Sequence, residues 1–352
     1  MKITVIFTGG TIGSTIGGDG YISPDRDCPY KLLDMYRRTC QYDTGKDTQT
    51  EFYVKEPFRI LSENINADYL NQLISCVRQV LEEDECEGVI ITHGTDTLQY
   101  TASVLSYIFG AKGVPIILVS SDFPLEDDRA NGLTNFKYAV DFIEKGYGQG
   151  VFVSYCNKGS NPTIHRGTRL LGHASYSASI YSVRDSYYGE YIENIYLPNA
   201  SYSSESGHHF FNRKCYNSMT DIRKDLAGLS GDAGEIMWIH PHVGMVYPEI
   251  GKGTRVILHD SYHSGTIRVG RELEDFMRQA GSYGVPVYIT GVSRDKNAYE
   301  TVRDYRNLGI RVLPEISPVA AFCKLWLALS NELDVKKVME SCIAEDFADK
   351  ER

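Results

Sequence analysis

Four short apolar runs constrain this chain more than anything else in it: ITVIF (3–7), GVIIT (88–92), VPIILVSS (114–121) and GVFVSY (150–155). They are rich in β-branched residues and carry almost no alternation. That character suits strands buried on both faces. Between them the apolar residues switch to helical spacing. Over 67–83, Leu70, Leu73, Ile74, Val77, Val80 and Leu81 share one face. Leu98, Ala102, Leu105 and Ile108 do the same, as do Phe136, Ala139, Val140 and Ile143. Parallel neighbours need a crossover, and a helix is the usual one. The alternation therefore predicts an α/β fold with a mostly parallel, doubly wound sheet.

The pattern lapses over NASYSSESGHHFFNRKC (199–215), which is Ser-rich and aperiodic and reads as a linker or hairpin. It then restarts. Strands are expected at 235–239, 255–260, 285–290 and 310–314, with helices over 271–284, 298–309 and 318–330. The expected organisation is a larger N-terminal domain (1–198), a linker (199–234) and a smaller, flavodoxin-like α/β domain (235–352). A chain of 352 residues accommodates both. The acidic run 82–85 reads as a solvated helix end, with a metal site as the alternative, and the charged tail EDFADKER (345–352) as frayed.

Partners are narrowed by charge. Lys plus Arg number 36 against 46 Asp plus Glu, a formal balance of −10. Neither a nucleic-acid backbone nor an anionic membrane suits that surface. No apolar run approaches a membrane span, and two glycines cut short the one at the N-terminus. The eight cysteines show no CxxC and no ladder of spacings, so no metal site is expected. Cys76 and Cys323 sit in apolar segments, which fits reduced thiols and a cytoplasmic setting.

In open α/β sheets ligands sit beyond the carboxyl ends of the strands. Three loops leave such ends with unusual residues: TGGTIGS (8–14), THGTDT (92–97) and SSDFPLEDD (120–128). The first is no dinucleotide fingerprint, because Thr8 stands where its first glycine belongs, and it lacks the G-K-[ST] of a phosphate loop. A turn built only to bend needs no hydroxyl at its crown. Thr11 there fits a nucleophile for acyl transfer, with glycine N–H groups placed for an oxyanion. Thr95 and Asp96 stand at the start of the next helix, where either would also serve as an ordinary cap. Taken together, the loops put two hydroxyls and a carboxylate along one sheet edge. That set suits a small substrate with an ammonium group near an acyl carbon.

TGGTIGS followed about eighty residues later by ITHGTDTLQYTA resembles the bacterial-type L-asparaginases and their glutaminase relatives. GYIS (20–23) resembles their lid segment, ILSENIN (60–66) their substrate loop, and FPLEDDRANGLTN (123–135) and HRGTR (165–169) the intracellular type I pattern. The resemblance implies Thr11 as nucleophile, Tyr21 as the lid tyrosine that hydrogen-bonds it, and Thr95 as second catalytic threonine. It implies Ser62 and Glu63 for the substrate's α-carboxylate and α-amino group, with Asp96 also on the amino group. It further implies amide hydrolysis through an acyl-threonine, no metal or organic cofactor, and a homodimer or homotetramer with sites completed at an interface.

One departure stands out. The type I pattern carries a lysine three residues after R-G-T-R, and this chain has Gly172 there. Losing an acid–base partner costs on the order of 10²–10⁴ in rate. His173 and Lys158 are the candidate substitutes. Three functions remain open on these residues: hydrolysis of asparagine or a related small amide, a catalytically weakened amino-acid-binding protein of the same fold, and, ranked last because the chain is acidic and shows no obvious tRNA-binding domain, the amidotransferase branch of the family that works on misacylated tRNA.

Overall fold

Strand β1 (Lys2–Phe7) shows why the sheet is covered on both sides. Ile3, Val5 and Phe7 join one apolar cluster and Ile6 another, and all four are buried. The computed structural model describes residues 1–18, 20–24, 28–44, 50–83, 85–202, 215–292 and 298–348. After β1 come the hairpin β2 (Ser14–Ile16) and β3 (Ile22–Pro24), then helix α1 (Cys28–Thr44) and β4 (Glu51–Lys55). Next are α2 (Ala67–Glu83), β5 (Gly88–Thr92), α3 (Leu98–Phe109), β6 (Pro115–Val119), α4 (Gly132–Glu144) and β7 (Gly150–Cys156). Strands β8 (Pro162–Arg166), β9 (Gly189–Ile192) and β10 (Ile195–Pro198) complete an eight-stranded sheet ordered β10-β9-β8-β7-β6-β5-β1-β4.

Strands β4 to β7 and β1 pair in parallel, whereas β8, β9 and β10 join antiparallel. Residues of α2 and α3 pack on the Ile6 side and residues of α1 and α4 on the other, the doubly wound arrangement that the alternation predicts. The antiparallel end was not read from the sequence, because β8 to β10 carry polar and tyrosine residues rather than unbroken apolar runs.

The remaining elements are β11 (Cys215–Tyr216), β12 (Ile236–Ile239), β13 (Val256–His259), α5 (Arg271–Ser282), β14 (Val287–Ile289) and α6 (Glu300–Asn307). They end with β15 (Arg311–Val312), α7 (Pro318–Ser330), α8 (Val335–Glu340) and β16 (Cys342–Ile343). Strands β12 to β15 form an all-parallel sheet in sequential order. Leu258 and Tyr288 of this sheet and Ala320 to Leu329 of α7 share one apolar cluster with Ile6 and with α3. A third of the expected linker, 203–214, lies outside the described residues, as does Asp84 of the acidic run. Cys215 is instead strand: β11 pairs in parallel with β16, a contact too short and too distant in sequence to read from pattern. Every cysteine whose side chain is described is a free thiol. Among the described residues no helix is long and apolar enough to cross a membrane.

The C-terminal segment corrects an expectation. Residues 345–348 are not frayed. Asp346 and Lys324 are fully buried and paired at 2.6 Å, with Tyr107 donating to the same carboxylate at 3.0 Å. Arg166 pairs with Glu345 at 2.8 Å, and Arg169 donates to the Glu345 and Phe347 carbonyls at 2.8 and 3.0 Å. Burial pushes the Glu345 carboxyl up, but Arg166, Tyr202 and Arg169 hold it below its ordinary value. Charges this polar look solvated in a sequence; they are stable inside only because each has found a partner. Residues 349–352 lie outside the described region.

Candidate active site

The first site loop leaves β1 and turns at once. Gly10 has φ of 74°, in the left-handed region that favours glycine. A side chain on it would sit 2.3 Å from the Gly94 nitrogen, and one on Gly94 would meet the Ser62 hydroxyl at 2.3 Å. Three turns therefore pack directly on one another: 8–14, 60–64 and 92–97. Hydrogen bonds fix their register. Thr8 Oγ1 donates to the Thr92 carbonyl at 2.6 Å, Gly10 N to Ile60 O at 3.0 Å, and Thr97 Oγ1 to Ser62 O at 2.9 Å. The contact arises because β1 and β5 are parallel neighbours, with Phe7 opposite Thr92, so both loops leave the sheet at one edge.

Thr11 opens a short 3-10 turn, Thr11–Gly13, anchored by Ile12, which is buried. Thr11 itself is half-buried. Thr95 and Asp96 line a cleft of about 270 Å³. Its other wall is the segment from Leu170 to Ile180, including His173. The wall is exposed from Leu171 to Ala178 and held at its ends. Leu170 bridges Ser182, and Leu171 N donates to Tyr181 O at 2.9 Å. Asn157 clamps its return, donating to Ile180 O at 2.9 Å and accepting from Ile180 N at 2.8 Å.

The sequence-predicted residues separate accordingly. Thr95, Asp96 and His173 share the cleft. Ser62 is buried against Gly94, and Glu63 is exposed beside it; neither lines the cleft. Thr11 stands in the neighbouring turn, also outside the cleft lining. Tyr21 sits at the β2–β3 hairpin, 75% exposed, and Lys158 is exposed past the end of β7. A Cβ at Gly172 would meet only Val319, at 3.7 Å, so a larger residue fits there.

Sequence reading passed over His93, although it stands inside THGTDT. Its Nδ1 lies 2.8 Å from the Gly94 carbonyl and its Nε2 2.9 Å from the Thr101 hydroxyl. A carbonyl only accepts, so Nδ1 carries the proton and Thr101 donates to Nε2. Burial lowers the imidazole to about 4, with the Gly94 carbonyl opposing. His93 is thus a neutral strut between the loop and α3. Asn157 was missed too, for its partner lies across the wall.

A family model described as Asparaginase, N-terminal, matches residues 2–196. The chain belongs to the asparaginase family. Among curated relatives, the L-asparaginase of Thermococcus kodakarensis is 26% identical over 362 residues, covering 99% of each chain. A glutamyl-tRNA(Gln) amidotransferase subunit from Sulfolobus acidocaldarius is 27% identical over 296 residues, which cover 80% of this chain but only 62% of that protein. The solved structure of the thermostable L-asparaginase from T. kodakarensis superposes with a TM-score of 0.72 at 22% identity over 99% of both chains, and so shares the fold.

Proposed function

We propose that this asparaginase-family chain hydrolyses the side-chain amide of L-asparagine, or of a related small amide, to the acid and ammonia. The observation that carries the reading is the Gly10–Gly94 contact, which sets the Thr11 turn against the Thr95–Asp96 turn. On this reading residues 1–198 are the catalytic unit.

Thr11 Oγ attacks the amide carbon while its proton passes to a neighbour, and the N–H groups of the glycine turn stabilise the oxyanion. Ammonia leaves with that proton, and water then cleaves the acyl-threonine. Thr95 assists the proton transfer. Asp96 holds the substrate's ammonium, and Tyr21 closes over Thr11 as the hairpin moves inward. Glu63 and Ser62 complete the substrate end of the site. The residue at the lysine position is Gly172, and His173 is the one of the two substitutes that lines the cleft. No metal or organic cofactor enters these steps. A cytoplasmic homo-oligomer fits the family reading.

The test is ammonia release by purified full-length protein. Steady release lost in Thr11→Ala supports the reading, and release that survives that change contradicts it. Gly172 favours one other reading, a weakened protein that binds an amino acid without turnover. Saturable binding by calorimetry, no ammonia, and no gain in Gly172→Lys would support that reading instead. The relative named as part of an amidotransferase adds a third outcome, ammonia released only in the presence of a partner protein.

A further inference from the structure

We propose that Cys215 and Cys342 form a reversible disulfide, a redox modification site that ties β11 to the buried segment bracing the turn Gly167–Arg169. The register of two short strands carries the inference. β11 and β16 pair in parallel, with Cys215 directly opposite Cys342 and Tyr216 opposite Ile343. Facing residues of neighbouring strands lie about 4.8 Å apart, and a disulfide joins Cα atoms about 4.4–6.8 Å apart. Both cysteines are free thiols here, and they already hydrogen-bond each other. Among the described residues no other two cysteines face each other across paired strands. Cys156 faces Pro162, and the buried Cys323 thiol is directed to the Tyr100 carbonyl, at 3.7 Å.

The two sulfurs differ in access. Cys342 is 5% exposed, whereas Cys215 is half-buried. The hydrogen bond to Cys215, then burial and Asp346, push the Cys342 thiol above its ordinary value, while Lys324 pulls it down. Cys342 therefore keeps its proton and donates it to Cys215, so the more accessible sulfur ionises first. A small disulfide such as oxidised glutathione is the oxidant. The Cys215 thiolate attacks one of its sulfurs, and the S–S bond breaks to release one half, which takes up the proton Cys215 has lost. The Cys342 sulfur then attacks Cys215, and its own proton leaves with the second half. Two protein thiols are oxidised, and one small disulfide is reduced to two thiols. The link falls where the fold needs a tie. Directly after β16, Ala344 N donates to Tyr216 O at 2.9 Å, and the Ala344 carbonyl accepts from Thr168 at 2.9 Å. Directly before it, the Ser341 carbonyl accepts from Lys324 at 2.6 Å. A bond enclosing residues 215–342 closes a long loop, the kind that most restricts the unfolded chain.

The experiment equilibrates the folded, full-length protein with oxidised or with reduced glutathione, quenches it in acid, alkylates the remaining thiols and maps the peptides without reduction. The expected product of oxidation is a linked pair of peptides containing Cys215 and Cys342. The pair is lighter by two hydrogens than the separate peptides and is released by dithiothreitol. The oxidised protein should melt at least about 3 °C above the reduced protein. That gap should vanish in Cys215→Ala and in Cys342→Ala, which a thiol serving only to pack would not bring about. If either variant fails to fold, the linked peptides and the gap in the wild-type protein decide by themselves. A glutathione adduct that stays on Cys215, a link between other cysteines in its place, or equal melting of the two forms would overturn the proposal. None of these readouts depends on ammonia release, so the proposal and the hydrolytic reading stand or fall separately.

Discussion

Two segments flank the short turn Gly167–Arg169, and they meet opposite fates. Residues 342–348 are buried except for Glu345, which is part-buried, and every charge among them is matched. Residues 171–178 are exposed throughout, and Tyr176 protrudes fully at a φ of 62°. Both start from the same anchor: Thr168 donates to the Ala344 carbonyl at 2.9 Å, and Ser317 bonds the Leu170 carbonyl. What separates them is partners. Lys324, Arg166 and Arg169 turn one segment into core, whereas the other is tied to the rest of the fold at its ends and forms the exposed wall of the cleft.

The largest expected effect breaks the brace. Asp346→Ala leaves Lys324 buried and unpaired, which should cost about 4 kcal/mol in denaturant unfolding. Lys324→Met combined with Asp346→Ala should recover much of that loss, and failure to recover it would mean that the pair is not the main tie. Next comes acid. His165 braces the wall's foot, its Nδ1 2.9 Å from the Ser182 hydroxyl, and burial lowers it to about 4, as it does His93. An imidazole held below its unfolded pKa of about 6.5 takes up its proton in the unfolded chain first. Its contribution is therefore full above that pKa and is lost as pH falls towards 4. Each histidine should cost on the order of 3 kcal/mol by pH 4. Unfolding curves at stepped pH would show this slope, and it should flatten in His165→Gln.

Smaller effects sharpen the contrast. Asn157→Ala removes both bonds to Ile180 and should cost about 1–2 kcal/mol, while raising KM more than it lowers kcat. An equal fall in kcat and kcat/KM would place Asn157 in the chemistry instead. Tyr176→Ala, at the tip of the wall, should change stability by no more than about 0.5 kcal/mol. A larger loss on melting would mean that the wall is less free than its exposure indicates.

The sequence made the parallel part of the large sheet legible because strands buried on both sides must be apolar throughout. Loops 8–14 and 92–97 were legible as a pair, since adjacent parallel strands deliver their ends to one edge. The tail was misread for the reason that separates the two segments: Glu345 and Asp346 look solvated until Arg166 and Lys324 are found more than twenty residues away or in another element. The antiparallel strands β8 to β10 and the Asn157 clamp were invisible for similar reasons, one lacking the apolar run and the other depending on the backbone of Ile180, far along the chain. His93 was printed inside a motif, yet burial, which no residue letter carries, is what makes it a strut.

The claim on which the rest depends is that the oxygen of Thr11 becomes acylated. The direct measurement is the mass of the protein quenched during turnover of asparagine, followed by peptide mapping. An acyl adduct on the peptide containing Thr11, absent in Thr11→Ala, is the expected result. Turnover with the adduct on another residue, or undiminished turnover in Thr11→Ala, would contradict it.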